Sequence, residues 1–135
     1  MPTSTVLYLG GLRTECTHLK SGQKIITDAP TDNHGKGEAF SPTDLAATSL
    51  GTCMLTVMGI VAQRHGIDME GARAEVTKIM AEGPRRIGEI QVIITMPPKG
   101  YTDEQKQLLE ATAHACPVGK SLSADLKEVV EFTWE

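Results

Sequence analysis

The chain has 135 residues and a formal net charge of −4, the size of one domain with no basic run suited to nucleic acid or a membrane surface. Aromatic residues make up 4% against 40% hydrophobic overall, so a core must be built from Val, Ile, Leu, Met and Ala. Three cysteines without CxxC spacing argue against a disulfide scaffold or a structural zinc site and favour a reducing cytoplasm.

The first elements are short. Met1-Pro2-Thr3-Ser4-Thr5 has neither a positive n-region nor an apolar h-region, so no signal peptide is expected. Ser4 to Leu9 predicts a strand that turns at Gly10-Gly11. Leu12 to Leu19 predicts a second strand, with Arg13, Glu15 and Thr17 on one face and Cys16 on the other. Ser21-Gly22 makes a hairpin turn into a third strand, Gln23 to Thr27, which Asp28-Ala29-Pro30 ends. Thr31 to Phe40 is a polar loop carrying glycines.

A helix start follows. Ser41 suits the N-cap, Pro42 the first helical position, and Asp44 stands three residues after the cap. The helix should run to about His65 and end at Gly66. Its stretch Leu45 to Ala62 is long enough to span a bilayer. Thr48, Ser49, Gly51, Thr52, Cys53 and Thr56 put polar or small groups on several faces, which favours a helix buried in protein and covered on several sides rather than a membrane span.

Ala72 to Ala81 and Gly88 to Thr95 predict a hairpin joined through Gly83-Pro84. Thr102 caps a further helix to about Ala115, with Gln105 in the capping-box position. Pro117 opens a short helix, Val118 to Leu126, and Val129 to Trp134 predicts a last strand. The order of strands, helix, strands, helices and strand predicts an α+β fold, with residues 1–135 as a single domain.

The chemistry rests on two thiols far apart in sequence, one in an apolar helix and one at a helix junction. Together they suggest one reactive and one resolving sulfur, as in a thiol-dependent redox enzyme. Taken alone, Cys53 reads equally as inert packing, because free cysteine is among the most buried residue types. Reactivity requires a cation or N–H donors beside the sulfur, and Arg13 is a candidate from the early strands. Pro117 at the first helical position puts Cys116 at the N-cap, where the helix dipole and free N–H groups favour a thiolate; the alternative is a tolerated small residue. Cys16 reads as half-buried packing. Glu38 and Asp44 flank the long helix start, as a solvated carboxylate and a cap, and either is a candidate to orient Arg13.

Of the histidines, His18 can face a pocket, His34 lies in the polar loop and His65 near a helix C-terminus. His114 and Cys116 make an H-x-C too sparse for zinc. Gly119-Lys120-Ser121 ends like a phosphate loop, but His114 stands where that motif needs its first glycine, so nucleotide binding is rejected. Three classes stay open on these residues: a peroxide-reducing enzyme, a redox sensor or thiol-binding protein with little turnover, and a Cys–His hydrolase.

Ser41-Pro42-Thr43-Asp44-Leu45-Ala46-Ala47-Thr48-Ser49-Leu50-Gly51-Thr52-Cys53, followed by Cys116-Pro117, resembles the OsmC/Ohr family of osmotically inducible and organic hydroperoxide resistance proteins. The spacing of the two cysteines, 116 − 53 = 63 residues, fits that family. The resemblance implies an intertwined α+β homodimer that reduces organic or lipid hydroperoxides without metal or organic cofactor. It implies that Cys53 attacks the peroxide and becomes a sulfenic acid, that Cys116 condenses with it to a disulfide, and that an external dithiol resets the enzyme. It gives Arg13 the role of stabilising the thiolate and orienting the peroxide. Better-known members carry glutamate directly after the proline. This chain has Thr43 there, and Asp44 is the nearest carboxylate, as in a less characterised branch of the family.

Overall fold

A computed structural model describes all residues, 1–135, of the chain. The fold is mixed α+β, with two three-stranded sheets and three helices. By its internal contacts the chain divides into two compact units, residues 1–46 and 47–135.

The first unit is a β-meander of β1 (Ser4–Gly10), β2 (Arg13–His18) and β3 (Lys24–Asp28), antiparallel throughout. The β1–β2 turn demands left-handed backbone at Gly10, Gly11 and Leu12. Glycine takes that conformation without steric cost, so Gly10-Gly11 is where the chain can reverse. A single 3-10 turn, Thr31–Asn33, lies in the loop that follows. No apolar side chain of residues 1–46 is buried; only Thr27, Asp28 and Ser41 are.

Helix α1 spans Pro42–Arg64. Ser41 and Asp44 close a capping box: the Asp44 amide donates to Ser41 Oγ and the Ser41 amide donates to Asp44 Oδ2, both at 3.0 Å. Leu50, Gly51, Met54, Met58 and Ala62 form the buried stripe within the second unit, at the i, i+3, i+4 spacing of a single helix face. The sequence predicts a helix covered on several sides, and its burial is graded around the axis. Cys53, Leu55 and Val57 are only half-buried, and Ile60 is exposed. Cys53, Leu55 and Val57 still pack against the edge of the core. By length and mean hydropathy, 1.8 over its most apolar window, α1 also passes the test for a membrane span, as core helices do.

The second sheet has the order β4-β5-β6, with β4 at Arg73–Ala81, β5 at Arg86–Met96 and β6 at Lys127–Trp134. β4 and β5 form the predicted hairpin, turned at a cis Gly83–Pro84 bond. β6 runs parallel to β5, which requires a long crossover. Helices α2 (Asp103–Ala113) and α3 (Pro117–Ser121) supply it. The capping box at Thr102 and Gln105 starts α2 as predicted. α3 stops at Ser121, five residues short of the predicted end.

The core joins the α1 stripe to Ile90, Val92, Ile94 and Met96 of β5, Leu109 and Ala113 of α2, and Cys116. At Gly51 α1 lies close against β4: a methyl group there would lie 2.7 Å from Val76 Cγ2.

Candidate functional site

Two groups of chemically capable side chains are assembled, one in each unit. The first is built on strand register. Thr17 faces Lys24, so counting outward from the turn sets Arg13 opposite Asp28. The Arg13 guanidinium, 31% exposed, donates from Nε to Asp28 Oδ1 at 2.7 Å and from Nη2 to Asp28 Oδ2 at 2.9 Å. Its Nη2 also donates to Glu38 Oε1 at 3.1 Å, and the Glu38 amide donates to Asp28 Oδ2 at 3.1 Å. This two-pronged grip fixes the guanidinium plane. The hydrogen bond from Arg13 holds the Asp28 carboxyl below its ordinary value, against the opposing pull of desolvation, and Arg13 is raised in turn.

Sequence reasoning missed Asp28, which is 1% exposed. In the sequence it marks the end of the third strand, with Ala29-Pro30. A two-residue turn at Ser21-Gly22 would set Arg13 opposite Pro30; the loop is instead centred between Lys20 and Ser21, and only that register brings Asp28 to Arg13. Glu38 does meet Arg13, while Asp44 is engaged with Ser41 at the start of α1. Cys16 is half-buried on β2, between Val6 and Ile25 of the flanking strands. His18 lines a cavity of about 370 Å³ with Cys16, Ser21 and Gln23, and its Nδ1 is 2.6 Å from Ser21 Oγ. His34 takes a left-handed backbone conformation in the polar loop.

The second group lies where α1 meets the start of α3. Cys53 stands one position before Met54 of the buried stripe and is half-buried. Cys116 is the N-cap of α3, 1% exposed, with extended backbone and Pro117 as the first helical residue. The first amides of α3 are divided between the two sulfurs. The Val118 amide donates to Cys53 Sγ at 3.5 Å, and the Gly119 amide donates to Cys116 Sγ at 3.4 Å. The Cys53 sulfur is close enough to act on the titration of Cys116.

The expectation that the N-cap position favours a Cys116 thiolate needs correcting. Burial pushes this thiol up, the Gly119 N–H pulls it down by less, and the Cys53 sulfur and Glu128 carboxylate add to the upward shift. A five-residue helix cannot offset removal of the sulfur from water. Of the remaining histidines, His65 follows the end of α1, and His114 caps α2 with its ring 6.0 Å from that of Phe132. No group of three or more His, Cys, Asp or Glu side chains is arranged to hold a metal ion.

Residues 35–130 match the sequence model of the OsmC-like protein family. The chain belongs to this family. The OsmC match includes both Cys53 and Cys116, whereas Arg13 and Asp28 precede it. A crystal structure from Psychrobacter arcticus 273-4, provisionally named an osmotic stress induced and detoxification response protein, is 52% identical and superimposes with a TM-score of 0.94. The alignment covers 98% of this chain and 96% of that one. An OsmC-like protein from Mycoplasma pneumoniae aligns at 18% identity and a TM-score of 0.80, over 97% of this chain and 94% of its own. An organic hydroperoxide resistance protein OsmC from Legionella pneumophila aligns at 19% identity and a TM-score of 0.72, over 98% of both chains. At these lower identities the likeness is one of fold. No curated protein sequence matches the chain.

Proposed function

We propose that this OsmC-family protein is a thiol-dependent hydroperoxide reductase acting on organic or lipid hydroperoxides in a reducing cytoplasm. The Cys53 thiolate attacks one peroxide oxygen. An S–O bond forms, the O–O bond breaks, and the alcohol leaves with a proton. The Cys53 sulfenic acid then condenses with Cys116 to a disulfide and water, and an external dithiol restores both thiols. No metal or organic cofactor enters these steps.

The observation that carries this reading is the sharing of the α3 N-terminus by the two sulfurs, Val118 N–H on Cys53 and Gly119 N–H on Cys116. Backbone N–H groups aimed at a sulfur stabilise negative charge on it. A resolving thiol must stand beside the reactive one to trap sulfenic acid before further oxidation. The half-buried Cys53 and buried Cys116 suit a division of labour, with the first open to substrate and the second shielded. A mainly apolar setting suits a bulky peroxide better than a small hydrated one. The names of hydroperoxide-resistance relatives of the same fold support the same reading. By the family resemblance, Arg13 stabilises the Cys53 thiolate and orients the peroxide.

The proposal includes a homodimer. Strand β1 exposes Val6 and Tyr8 on one face, 65% and 62%, and Leu7 and Leu9 on the other. A meander without one buried apolar side chain lacks the hydrophobic burial that stabilises a sheet. A second copy laid against it supplies the missing cover.

The test is steady-state turnover of cumene hydroperoxide with dithiothreitol, following loss of peroxide. Catalytic turnover that disappears in Cys53→Ser is expected. Stoichiometric oxidation without turnover would instead favour a redox sensor.

A further inference from the structure

Cys116 has a difficulty that the proposed reaction must solve. To join Cys53 it must give up a proton, yet it is 1% exposed and burial holds its thiol protonated. Water cannot reach that proton directly. Something at the boundary between sulfur and solvent has to accept it.

Gly119 marks where that boundary is thin. A methyl group at Gly119 would stand 3.3 Å from Cys116 Sγ, 3.3 Å from Glu128 Oε1 and 3.5 Å from Glu128 Oε2. Sulfur and carboxylate therefore border the same missing side chain. Glu128 lies on β6, opposite Ile90 of the central strand β5, and is exposed. Its neighbour Lys127 reaches toward Glu89, at 3.9 Å. The groups that act on the Cys116 sulfur are the Gly119 amide from α3, Cys53 from α1 and Glu128 from β6. Of these, only Glu128 is a base in contact with bulk water.

We propose that Glu128 is the proton acceptor for Cys116 in disulfide formation, reached past the bare Cα of Gly119 directly or through one water. This rests on the reading of Cys116 as the resolving thiol. The carboxylate takes the Cys116 proton, and the sulfur's electron pair forms the S–S bond to Cys53. The S–O bond of the sulfenic acid breaks, and the oxygen leaves with its own hydrogen and the proton returned by Glu128, as water. A side chain at Gly119 would crowd both acid and base.

Two arms test this with wild type, Glu128→Gln and Gly119→Ala. In the first, one equivalent of cumene hydroperoxide is mixed with reduced protein, and peroxide loss and disulfide formation are followed separately. Peroxide loss keeps its rate in Glu128→Gln. Disulfide formation slows by about 10²-fold, the low end for general-base catalysis, and sulfenic acid trapped by dimedone accumulates. In the second arm no peroxide is used. Cys53 is converted to its mixed disulfide with thionitrobenzoate, and release of thionitrobenzoate reports attack by Cys116. Release slows in both variants. In Glu128→Gln its rate now rises about tenfold per pH unit, following hydroxide, because no internal base remains. A purely electrostatic role for Glu128, whose charge raises the Cys116 thiol, would instead speed release in Glu128→Gln. Release at the wild-type rate and pH dependence in Glu128→Gln overturns the proposal. Failure of wild type to consume peroxide, with release still dependent on Glu128, removes the peroxidase reading alone and leaves the proton acceptor standing.

Discussion

The amide of Val118 donates to the sulfur of Cys53 at 3.5 Å across 65 positions of sequence. The next amide along, that of Gly119, donates to Cys116. A helix of five residues thus serves as a shared clamp for two thiols that belong to different elements. Its geometry predicts unequal roles for them. Cys116→Ser should consume about one equivalent of peroxide per site, then stall and accumulate sulfinic acid at Cys53, read by mass spectrometry. Normal cycling of this variant with a dithiol would remove Cys116 from the reaction.

Cys116 also predicts an alkaline response. Its folded-state pKa is raised above the ordinary thiol value, chiefly by burial. A raised group contributes its full stability below the unfolded pKa and loses it as pH rises through the folded one. Stability should therefore be flat up to about pH 8.5, the ordinary cysteine value, and fall above it. Cys116→Ala should fall less steeply over the same window. Parallel denaturation curves for the two proteins between pH 8 and 10 would contradict this.

Asp28 predicts the opposite limb. The hydrogen bond from Arg13 depresses its pKa, so its contribution is present above the unfolded carboxylate value, about 3.9, and is lost as pH falls through the lower folded one. Asp28→Asn should lower Tm at neutral pH and flatten the acid limb below about pH 4. It also frees the Arg13 plane while keeping its charge, so the peroxide step should slow, though less than in Arg13→Ala. Unchanged peroxide kinetics in both variants would confine the cluster to a structural role.

Gly51 is a packing test of the α1–β4 contact. A Cβ there would come 2.7 Å from Val76 Cγ2. Overpacking costs about 1–3 kcal/mol, and replacing glycine by alanine in a helix interior returns about 1 kcal/mol. Gly51→Ala should therefore lose up to about 2 kcal/mol, measured by urea denaturation. A gain in stability would show that Val76 turns aside freely.

Assembly gives the last expectation. With Val6, Leu7, Tyr8 and Leu9 all exposed on β1, the protein should sediment as a dimer at micromolar concentration, and its unfolding midpoint should rise with protein concentration. Replacing both Val6 and Tyr8 by Lys should yield monomer or unfolded chain. A stable monomer with unaltered wild-type sequence would contradict the homodimer.

The sequence alone carried the element order, because each boundary is marked by local chemistry. Ser41-Pro42 with Asp44 opens α1, Thr102 with Gln105 opens α2, and Pro117 opens α3. Caps and turns are made within four residues, so they are legible without knowing the fold. The sequence also singled out both cysteines and Arg13. Only the tertiary structure decided who stands beside them. Asp28 meets Arg13 through strand register, Val118 meets Cys53 through the crossover from β5 to β6, and Glu128 and Cys116 both border Gly119. It also set the balance at Cys116, where burial in a core drawn from α1, β5 and α2 outweighs a local helix end. Desolvation depends on everything packed around a group, and no window of sequence contains that sum.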